Sequence, residues 1–266
     1  ITKGGIDAIY TDYYMWRNNM DSALYYSQQV LSNANYKLAQ LYDPNVNYFS
    51  TPSLIDNAEY ARMFTQGFST ESIFEIAFSY PEGSISNFSS LYGFPGQSQF
   101  MATSNIVSKF DLSDLRLMVD FVSDVQVYKF FEKSGYDKVT QNDKNIILYR
   151  LSDIILLRAE ALNATGRRGD AFTLVNQIRQ RAGVAAVTAD KYNAFSASEA
   201  EDYILDERSR ELCFEGKRWY DLVRTGRAIP VMEPINGLNN PANLLWPISL
   251  NVIRQNPAIE QNNYYK

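Results

Sequence analysis

Two stretches of the chain repeat one pattern of apolar and small residues at helical spacing, and this repetition constrains the fold most. The first stretch ends in a helix with Ala23 and Val30 on one side. The second ends in a helix where Ala171 and Ile178 occupy the same relative positions. Small residues at a helix crossing let two helices approach closely, as in tetratricopeptide hairpins. The pattern predicts a mainly α fold built from tetratricopeptide-like helical hairpins.

The first helix of the first hairpin has a stripe of large apolar residues. These residues fall on one helical face and are predicted to be buried: Ile6, Ile9, Tyr10, Tyr13, Trp16 and Met20. Trp219 and Trp246 are also predicted to lie in the core, although Trp219 beside Arg218 could instead stack on a ligand.

The middle of the chain has a different texture. Phe74, Ile76, Phe78 and Tyr80 alternate onto one face, which is typical of a strand over residues 71–80. Residues 117–130 suggest further extended structure, and residues 81–108, rich in Ser, Gly, Asn and Gln, read as a long loop. We therefore expect a loop-rich region with a few short strands between the hairpins.

These patterns suggest one domain covering residues 1–266. Its predicted parts are a helical hairpin (1–45), a loop-rich ligand-binding region with short strands (46–147), a helical hairpin plus a charged helix (148–228) and an ordered tail (229–266).

Composition narrows the function. The chain has no histidine, which excludes catalytic sites and metal centres that depend on imidazole. Cys213 is the one cysteine, so no cysteine cluster can hold zinc or iron–sulfur, and neither a metal nor another cofactor is predicted. A net charge of -5 argues against binding to nucleic acid. No apolar run is long enough for a transmembrane helix.

A charged helix is predicted from about Ser198 to residue 215, with Ser198 and Glu201 forming a capping box. Three glutamates follow one another at four-residue spacing along it: Glu207, Glu211 and Glu215. Such a stripe needs cations. Arg208, Arg210 and Arg218 are available locally, and Arg158 on the apolar face of the preceding hairpin is the predicted further partner. The other interpretation is a catalytic pair of carboxylates in a glycosidase.

The loop aromatics are the candidates for ligand binding. Flat rings stack on the C–H faces of sugars, and neutral amides satisfy sugar hydroxyls. The predicted ligand-binding residues are Tyr80, Asn87, Tyr92, Phe94, Gln97 and Gln99. The alternative is that the rings only anchor the loop to the core.

Several segments in the second half carry a family resemblance. They read LYRLSD at 148–153, LLRAEALN at 156–163, VNQIRQRAG at 175–183 and ELCFEGKRWYDLVRTG at 211–226, followed by WPI at 246–248. As an ordered set, these segments resemble the SusD/RagB family.

The resemblance implies a non-enzymatic lipoprotein on the cell-surface side of the outer membrane. Such a protein captures glycans, or peptides in some branches, and delivers them to a SusC-like TonB-dependent transporter. Family members begin with a lipidated cysteine and further hairpins, neither of which is present, so we expect an amino-terminally truncated domain whose only membrane attachment is the absent lipid anchor. A helical-repeat adaptor for a protein partner and a carboxylate-dependent glycosidase remain alternatives.

Overall fold

The computed structural model describes residues 1–43, 45–47, 52–86, 88–92, 99–121, 125–131 and 143–266. The chain divides into two compact units, Ile1–Glu215 and Gly216–Lys266. The first unit contains helices and a small sheet, and the second contains short helices and turns.

The helices of the first unit are α1 (Lys3–Trp16), α2 (Met20–Leu31), α3 (Glu59–Gln66), α4 (Phe88–Tyr92), α5 (Ser104–Val107), α6 (Arg116–Asp120), α7 (Leu151–Ala164), α8 (Arg168–Arg181), α9 (Ala189–Ala194) and α10 (Ala197–Glu211). Its strands are β1 (Ser72–Ile76) and β2 (Ile146–Arg150), and its 3-10 turns are Pro52–Asn57 and Tyr80–Glu82.

Helical hairpins form the main core of the first unit. Helix α1 packs against α2, α2 against α7, and α7 against both α8 and α10. Ala23 and Ala171 are both buried, as their predicted place at close helix crossings requires. The mainly α fold with tetratricopeptide-like hairpins is confirmed.

Helix α1 buries a different face from the predicted one. Apart from Met15, its buried residues are small or short: Gly4, Gly5, Asp7, Ala8 and Thr11. Ile6, Tyr13 and Trp16 on the predicted stripe are exposed, Trp16 by 43%. Small side chains let α1 approach its neighbours closely, whereas amphipathic tyrosine and tryptophan tolerate a partly wet surface. Ile9 and Tyr10 are exposed as well. The predicted burial is therefore wrong for five of the six stripe residues, Trp16 included.

The N-cap of helix α10 lies two residues before the predicted one, and the helix ends at Glu211, four residues before the predicted end. Ser196 is its N-cap and forms a capping box with Glu199. The predicted pair, Ser198 and Glu201, has the same spacing, but both residues fall inside the helix. Sequence spacing alone does not distinguish two overlapping Ser-x-x-Glu registers.

Strands β1 and β2 form an antiparallel pair, with Ile76 opposite Ile146 and register irregularities between Ser72 and Glu75. The predicted strand is confirmed within residues 72–76. Its buried side chain is Ile73, whereas Ile76 and Tyr80 on the alternating face are exposed.

The middle region is more helical than predicted. Residues 81–108 contain the short helices α4 and α5 rather than a continuous loop, and residues 117–120 belong to α6 rather than to an extended segment. Isolated bridges pair Ser79 with Ser84 and Phe121 with Val127, and the second is the extended structure among the described residues of 117–130. Phe64, Phe110 and Phe130 contribute to a second apolar core beneath this region.

The second unit comprises α11 (Arg218–Arg224), α12 (Ala228–Asn236), α13 (Leu250–Gln255) and the 3-10 turns Pro241–Leu244 and Asn263–Tyr265. Trp219 is half-buried. Trp246 is 79% exposed, so its predicted burial is wrong, and the neighbouring Leu245 is exposed too. Within the ranges described, every helix is too short or too polar to traverse a lipid bilayer.

Candidate functional site

The three glutamates of the acidic stripe lie inside the first unit. The side chains of Glu207 and Glu211 are fully buried, and that of Glu215 is 5% exposed. An ionised carboxylate at such depth needs a positive partner, because burial without one is very costly. The arrangement of cations around the stripe therefore decides what these residues can do.

Arg179 and Arg210, whose side chains are 10% and 11% exposed, contact Glu207 at 3.3 Å and 2.7 Å. Four more deeply buried cations contact the stripe, one each from α6, the segment after it, β2 and α8. They make these contacts: Arg116 Nη1 with Glu207 Oε1 (2.8 Å) and Glu211 Oε2 (3.0 Å), Lys129 Nζ with Glu215 Oε1 (2.7 Å), Arg150 Nη1 with Glu211 Oε1 (2.5 Å), Arg150 Nε with Glu215 Oε2 (2.7 Å), and Arg181 Nη2 with Glu211 Oε1. We call these four cations and three glutamates the buried charge network.

The network also contacts Glu71, the residue directly before β1. Glu71 is fully buried, and its Oε1 accepts from Arg150 Nη1 at 2.7 Å. Its Oε2 accepts from the backbone N–H of Ala39 at 2.8 Å. One guanidinium thus joins β1, β2 and the charged helix, with the rings of Tyr60 and Phe64 beside it.

The cations keep the buried glutamates ionised. Burial disfavours the charged form of Glu207, but Arg116, Arg210 and Arg179 outweigh it and lower the pKa of Glu207 to about 2. Burial likewise opposes ionisation of Glu211, and Arg181, Arg150 and Arg116 hold the pKa of Glu211 well below its ordinary value. These carboxylates are acceptors in a closed network and are not placed to donate or take a substrate proton.

Arg158, the predicted partner of the stripe, makes other contacts. Its Nη1 donates to the backbone oxygen of Leu24 at 2.6 Å and to Ser27 Oγ at 3.0 Å. Burial is the main cause that lowers the pKa of Arg158. The predicted neutralisation of the stripe is confirmed, and the locally available Arg210 pairs with Glu207 at 2.7 Å. The predicted pairing of Arg158 with the stripe is wrong. Arg158 joins α7 to α2 instead.

Asp120 is a further buried acid at the edge of the network. Asp120 Oδ2 is 3.6 Å from Lys129 Nζ and accepts from the thiol of Cys213 at 3.1 Å. Burial raises the pKa of Asp120 to about 6, against the opposing effect of Lys129. Burial also raises the pKa of the Cys213 thiol well above its ordinary value. The thiol is thus a hydrogen-bond donor to Asp120 rather than a reactive thiolate.

Among the predicted ligand-binding residues that the structure describes, Tyr92 is the one packed among other rings. It ends α4, and its ring centroid is 5.5 Å from that of Phe130, 5.9 Å from Phe214 and 6.3 Å from Phe100. Burial raises the pKa of the Tyr92 hydroxyl. Tyr92 is half-buried against the second core, so it anchors α4 and leaves only part of its ring accessible.

Tyr80 and Gln99 have exposed side chains. Tyr80 begins the 3-10 turn Tyr80–Glu82 and is 48% exposed. Gln99 precedes Phe100, whose backbone N–H donates to Leu91 in α4 at 2.9 Å, so Gln99 lies close to the Tyr92 cluster. Asn87, Phe94 and Gln97 lie outside the described residues.

Phe68 has an exposed ring and was not among the predicted ligand-binding residues. Phe68 follows α3, has a positive φ of 53° and is 76% exposed. Its position directly after Gly67 is the one hint in the sequence, since glycine often marks a turn before a strand. Apolar spacing cannot identify such a residue because it belongs to no periodic pattern.

Comparison with known proteins identifies relatives for the second half of the chain. The sequence profile described as SusD family matches residues 120–265, more than half of the chain. SusD-like protein P38 of Formosa agariphila is 46% identical over 140 residues, which make up 50% of this chain and 28% of that protein. The starch-binding protein SusD of Bacteroides thetaiotaomicron is 32% identical over 139 residues, or 48% of this chain and 23% of that protein.

Solved structures match along nearly the whole chain. A SusD superfamily protein from Bacteroides thetaiotaomicron has a TM-score of 0.71 and 25% identity, with 98% of this chain and 57% of that chain covered. The surface glycan-binding protein A of the same organism, in complex with laminarihexaose, has a TM-score of 0.71 and 22% identity, with 99% and 64% covered. The chain therefore spans only part of each relative.

Proposed function

Since this chain belongs to the SusD family, we propose that it binds glycans at the cell surface without hydrolysing them. The observation that carries this proposal is the closed charge network. Its glutamates, the acidic residues that could have formed a glycosidase pair, are buried and neutralised by four cations. Recognition is then left to rings, amides and hydroxyls at the surface, which suit neutral sugars.

Two relatives support the choice of ligand. One relative is a starch-binding protein, and a structural neighbour is in complex with laminarihexaose. Both ligands are neutral glucans. We therefore assign an oligo- or polysaccharide as the ligand class of this chain.

For the binding residues, the proposal retains those predicted from the sequence. Tyr80 and Gln99 offer an exposed ring and an exposed amide, and the accessible part of Tyr92 lies beside Phe100. Asn87, Phe94 and Gln97, outside the described residues, complete the proposed set.

The proposal extends to the place of the protein in uptake. In its whole form the protein is attached by a lipid anchor to the cell-surface side of the outer membrane and delivers glycans to a SusC-like TonB-dependent transporter. Family membership supports both statements. Co-purification of a tagged whole protein with an outer-membrane barrel tests both statements. We expect co-purification to be lost when the anchor cysteine is replaced and to be restored in detergent extracts.

Native gel electrophoresis through laminarin or starch, followed by calorimetry with laminarihexaose and maltohexaose, tests glycan binding by this chain. We expect retardation in at least one polysaccharide and no new reducing ends after prolonged incubation. Absence of retardation in both, with binding to casein peptides instead, contradicts the proposal. Release of reducing ends contradicts its non-catalytic part.

A further inference from the structure

A small polar cleft lies at the end of α3, on the surface of the first unit. It encloses about 190 Å³, less than the roughly 300–1,000 Å³ of a pocket for a drug-sized ligand. Its lining residues are Glu59, Arg62, Met63, Gln66, Gly67, Ser69 and Thr70. Gly67 and Ser69 flank Phe68 in the sequence, so Phe68 lies on the turn at the edge of the cleft, although it is not one of the lining residues.

Phe68 is held in a conformation that bulky residues avoid. Its φ of 53° lies in the left-handed region, where a β-branched or bulky side chain is an outlier. Since its ring is 76% exposed, burial of the ring does not account for this conformation. Backbone outliers of this kind concentrate at ligand-binding sites.

A hydrogen-bonded support fixes the turn from behind. The backbone N–H of Phe68 donates to Glu75 Oε1 at 2.7 Å, and Asn145 Nδ2 donates to the same oxygen at 3.1 Å. Asn145 is buried and packs against Gly67, where an added Cβ would overlap its amide. Asn145 Oδ1 also accepts from the backbone N–H of Phe78 at 3.0 Å.

The walls of the cleft are fixed as well. Glu59 Oε2 accepts from the backbone N–H of Gln40 at 3.0 Å, and the backbone oxygen of Thr70 accepts from Lys37 N at 3.1 Å. Lys144 Nζ donates to the backbone oxygen of Thr65 at 2.8 Å, which ties the end of α3 to the segment before β2. A site held this way binds with little loss of conformational freedom.

The lining chemistry points to a neutral, hydroxyl-rich ligand. Glu59 and Arg62 are its two charged residues, and their charges cancel. Gln66, Ser69 and Thr70 add an amide and two hydroxyls, which can both donate and accept hydrogen bonds. The neighbouring aromatic ring offers a flat apolar face.

We infer that this cleft, with Phe68 as the stacking ring, is a carbohydrate subsite that holds one sugar unit of a neutral glucan. The inference rests on the proposed function and gives it a site formed entirely by described residues. The small volume accommodates one ring of a chain, and the remainder of the glycan extends over the surface.

Phe68→Asn tests the inference, because asparagine adopts a left-handed conformation readily and removes the ring. Calorimetry uses laminarihexaose and maltohexaose, each at one temperature and salt concentration. We expect the Kd of Phe68→Asn for the bound glucan to rise about five- to tenfold. Phe68→Tyr, which retains a ring, should restore it. Leu112→Asn, which removes an exposed apolar residue elsewhere, should bind like the wild type.

The affinities of the wild type and of Phe68→Asn together separate the subsite from the proposed function. If the wild type binds a glucan and Phe68→Asn binds it equally well, the subsite is wrong and the proposed function stands. If the wild type binds neither glucan, both proposals fall. If Phe68→Asn impairs binding of casein peptides but not of glucan, the cleft recognises peptides and the inference is overturned.

A second variant guards against a folding defect. Gln66 is exposed at the end of α3 with ordinary helical geometry, so Gln66→Ala changes the cleft without altering the turn. We expect a two- to fivefold weaker affinity for the bound glucan at an unchanged melting temperature. Unchanged glucan affinity in Gln66→Ala and in a folded Phe68→Asn overturns the subsite.

Discussion

Arg150 and Glu211 are 61 residues apart in sequence, yet their Nη1 and Oε1 atoms are 2.5 Å apart, and both side chains are buried. The same guanidinium contacts Glu71 and Glu215. Arg150 thus forms ion pairs with three carboxylates from two parts of the chain. Its removal leaves buried negative charge that the remaining cations only partly balance.

Arg150→Met should therefore lower the free energy of unfolding by about 3–5 kcal/mol. Urea unfolding followed by circular dichroism measures this loss. The matched control is Arg167→Met, because Arg167 pairs with Asp170 at the surface and both side chains are more than half exposed. We expect the control to change stability by less than about 0.5 kcal/mol. Equal effects of the two variants would show that the network does not hold the fold together.

The hairpin scaffold could be predicted because it follows from local periodicity. Ala23 and Ala171 are small residues within apolar helical patterns, and their burial follows from the packing of consecutive helices. The strand near Phe74 was predictable for the same reason, since alternation is a local property. The buried face of α1 was not, because its glycines, Ala8 and Thr11 carry little apolar weight in a periodicity argument.

Partners across the fold could not be predicted residue by residue. Glutamates at four-residue spacing require cations, and this much follows from electrostatics. Which cations supply them depends on tertiary contacts, and Arg116, Arg150 and Arg181 come from three separate elements. Arg158 looked equally suitable from its place on α7, but its guanidinium reaches α2 instead.

The candidate site divides in the same way. The residue types in the loop predicted that rings and amides occur together there. They did not predict that Tyr92 packs on Phe130. Phe68 was missed because a positive φ is unfavourable for phenylalanine and is not expected from its sequence neighbours. The turn is held by Glu75, seven residues later, and by Asn145, which is distant in sequence.

Acid should weaken the fold through Glu207. Its pKa is lowered from an ordinary 4.5 to about 2, so its stabilising contribution is complete above pH 4.5 and is lost as the pH falls through 2. The difference corresponds to about 3 kcal/mol. As the pH falls from 4.5 to below 2, the free energy of unfolding should decrease in both proteins. The decrease in Glu207→Gln should be smaller than that in the wild type by about 3 kcal/mol.

Urea titrations at several pH values between 5 and the acid limit provide the measurement. Glu233→Gln is the control, because Glu233 is exposed on α12 and its replacement should leave the pH dependence unchanged. The same acid sensitivity in Glu207→Gln and the wild type would mean that other groups dominate the acid response.

Tyr92 and Tyr80 should respond differently to truncation, although both are proposed ligand-binding residues. Tyr92 packs on Phe130 and Phe214, so Tyr92→Ala should lower the free energy of unfolding by about 2 kcal/mol or more. Tyr80 is exposed, so Tyr80→Ala should change stability by less than about 0.5 kcal/mol.

Thermal melting and glucan calorimetry on both variants separate anchoring from recognition. We expect weaker glucan binding in both, because loss of Tyr92 also displaces α4 and the adjacent Gln99 segment. Weakened binding in neither variant would remove these two residues from the proposed site. A stable Tyr92→Ala would argue against its anchoring role.

Two glycines with positive φ offer a matched test of the support behind Phe68. Gly67 (φ 74°) has the Asn145 amide where a Cβ would stand, whereas Gly83 (φ 73°) has open space there. Both alanine variants bear the cost of a left-handed residue, about 1 kcal/mol. Gly67→Ala must also displace Asn145 from Glu75 and from the backbone of Phe78. Its total loss should therefore exceed that of Gly83→Ala by at least about 1 kcal/mol, the value of a buried hydrogen bond. Equal losses in urea unfolding would show that Asn145 moves aside freely and does not fix the turn that carries Phe68.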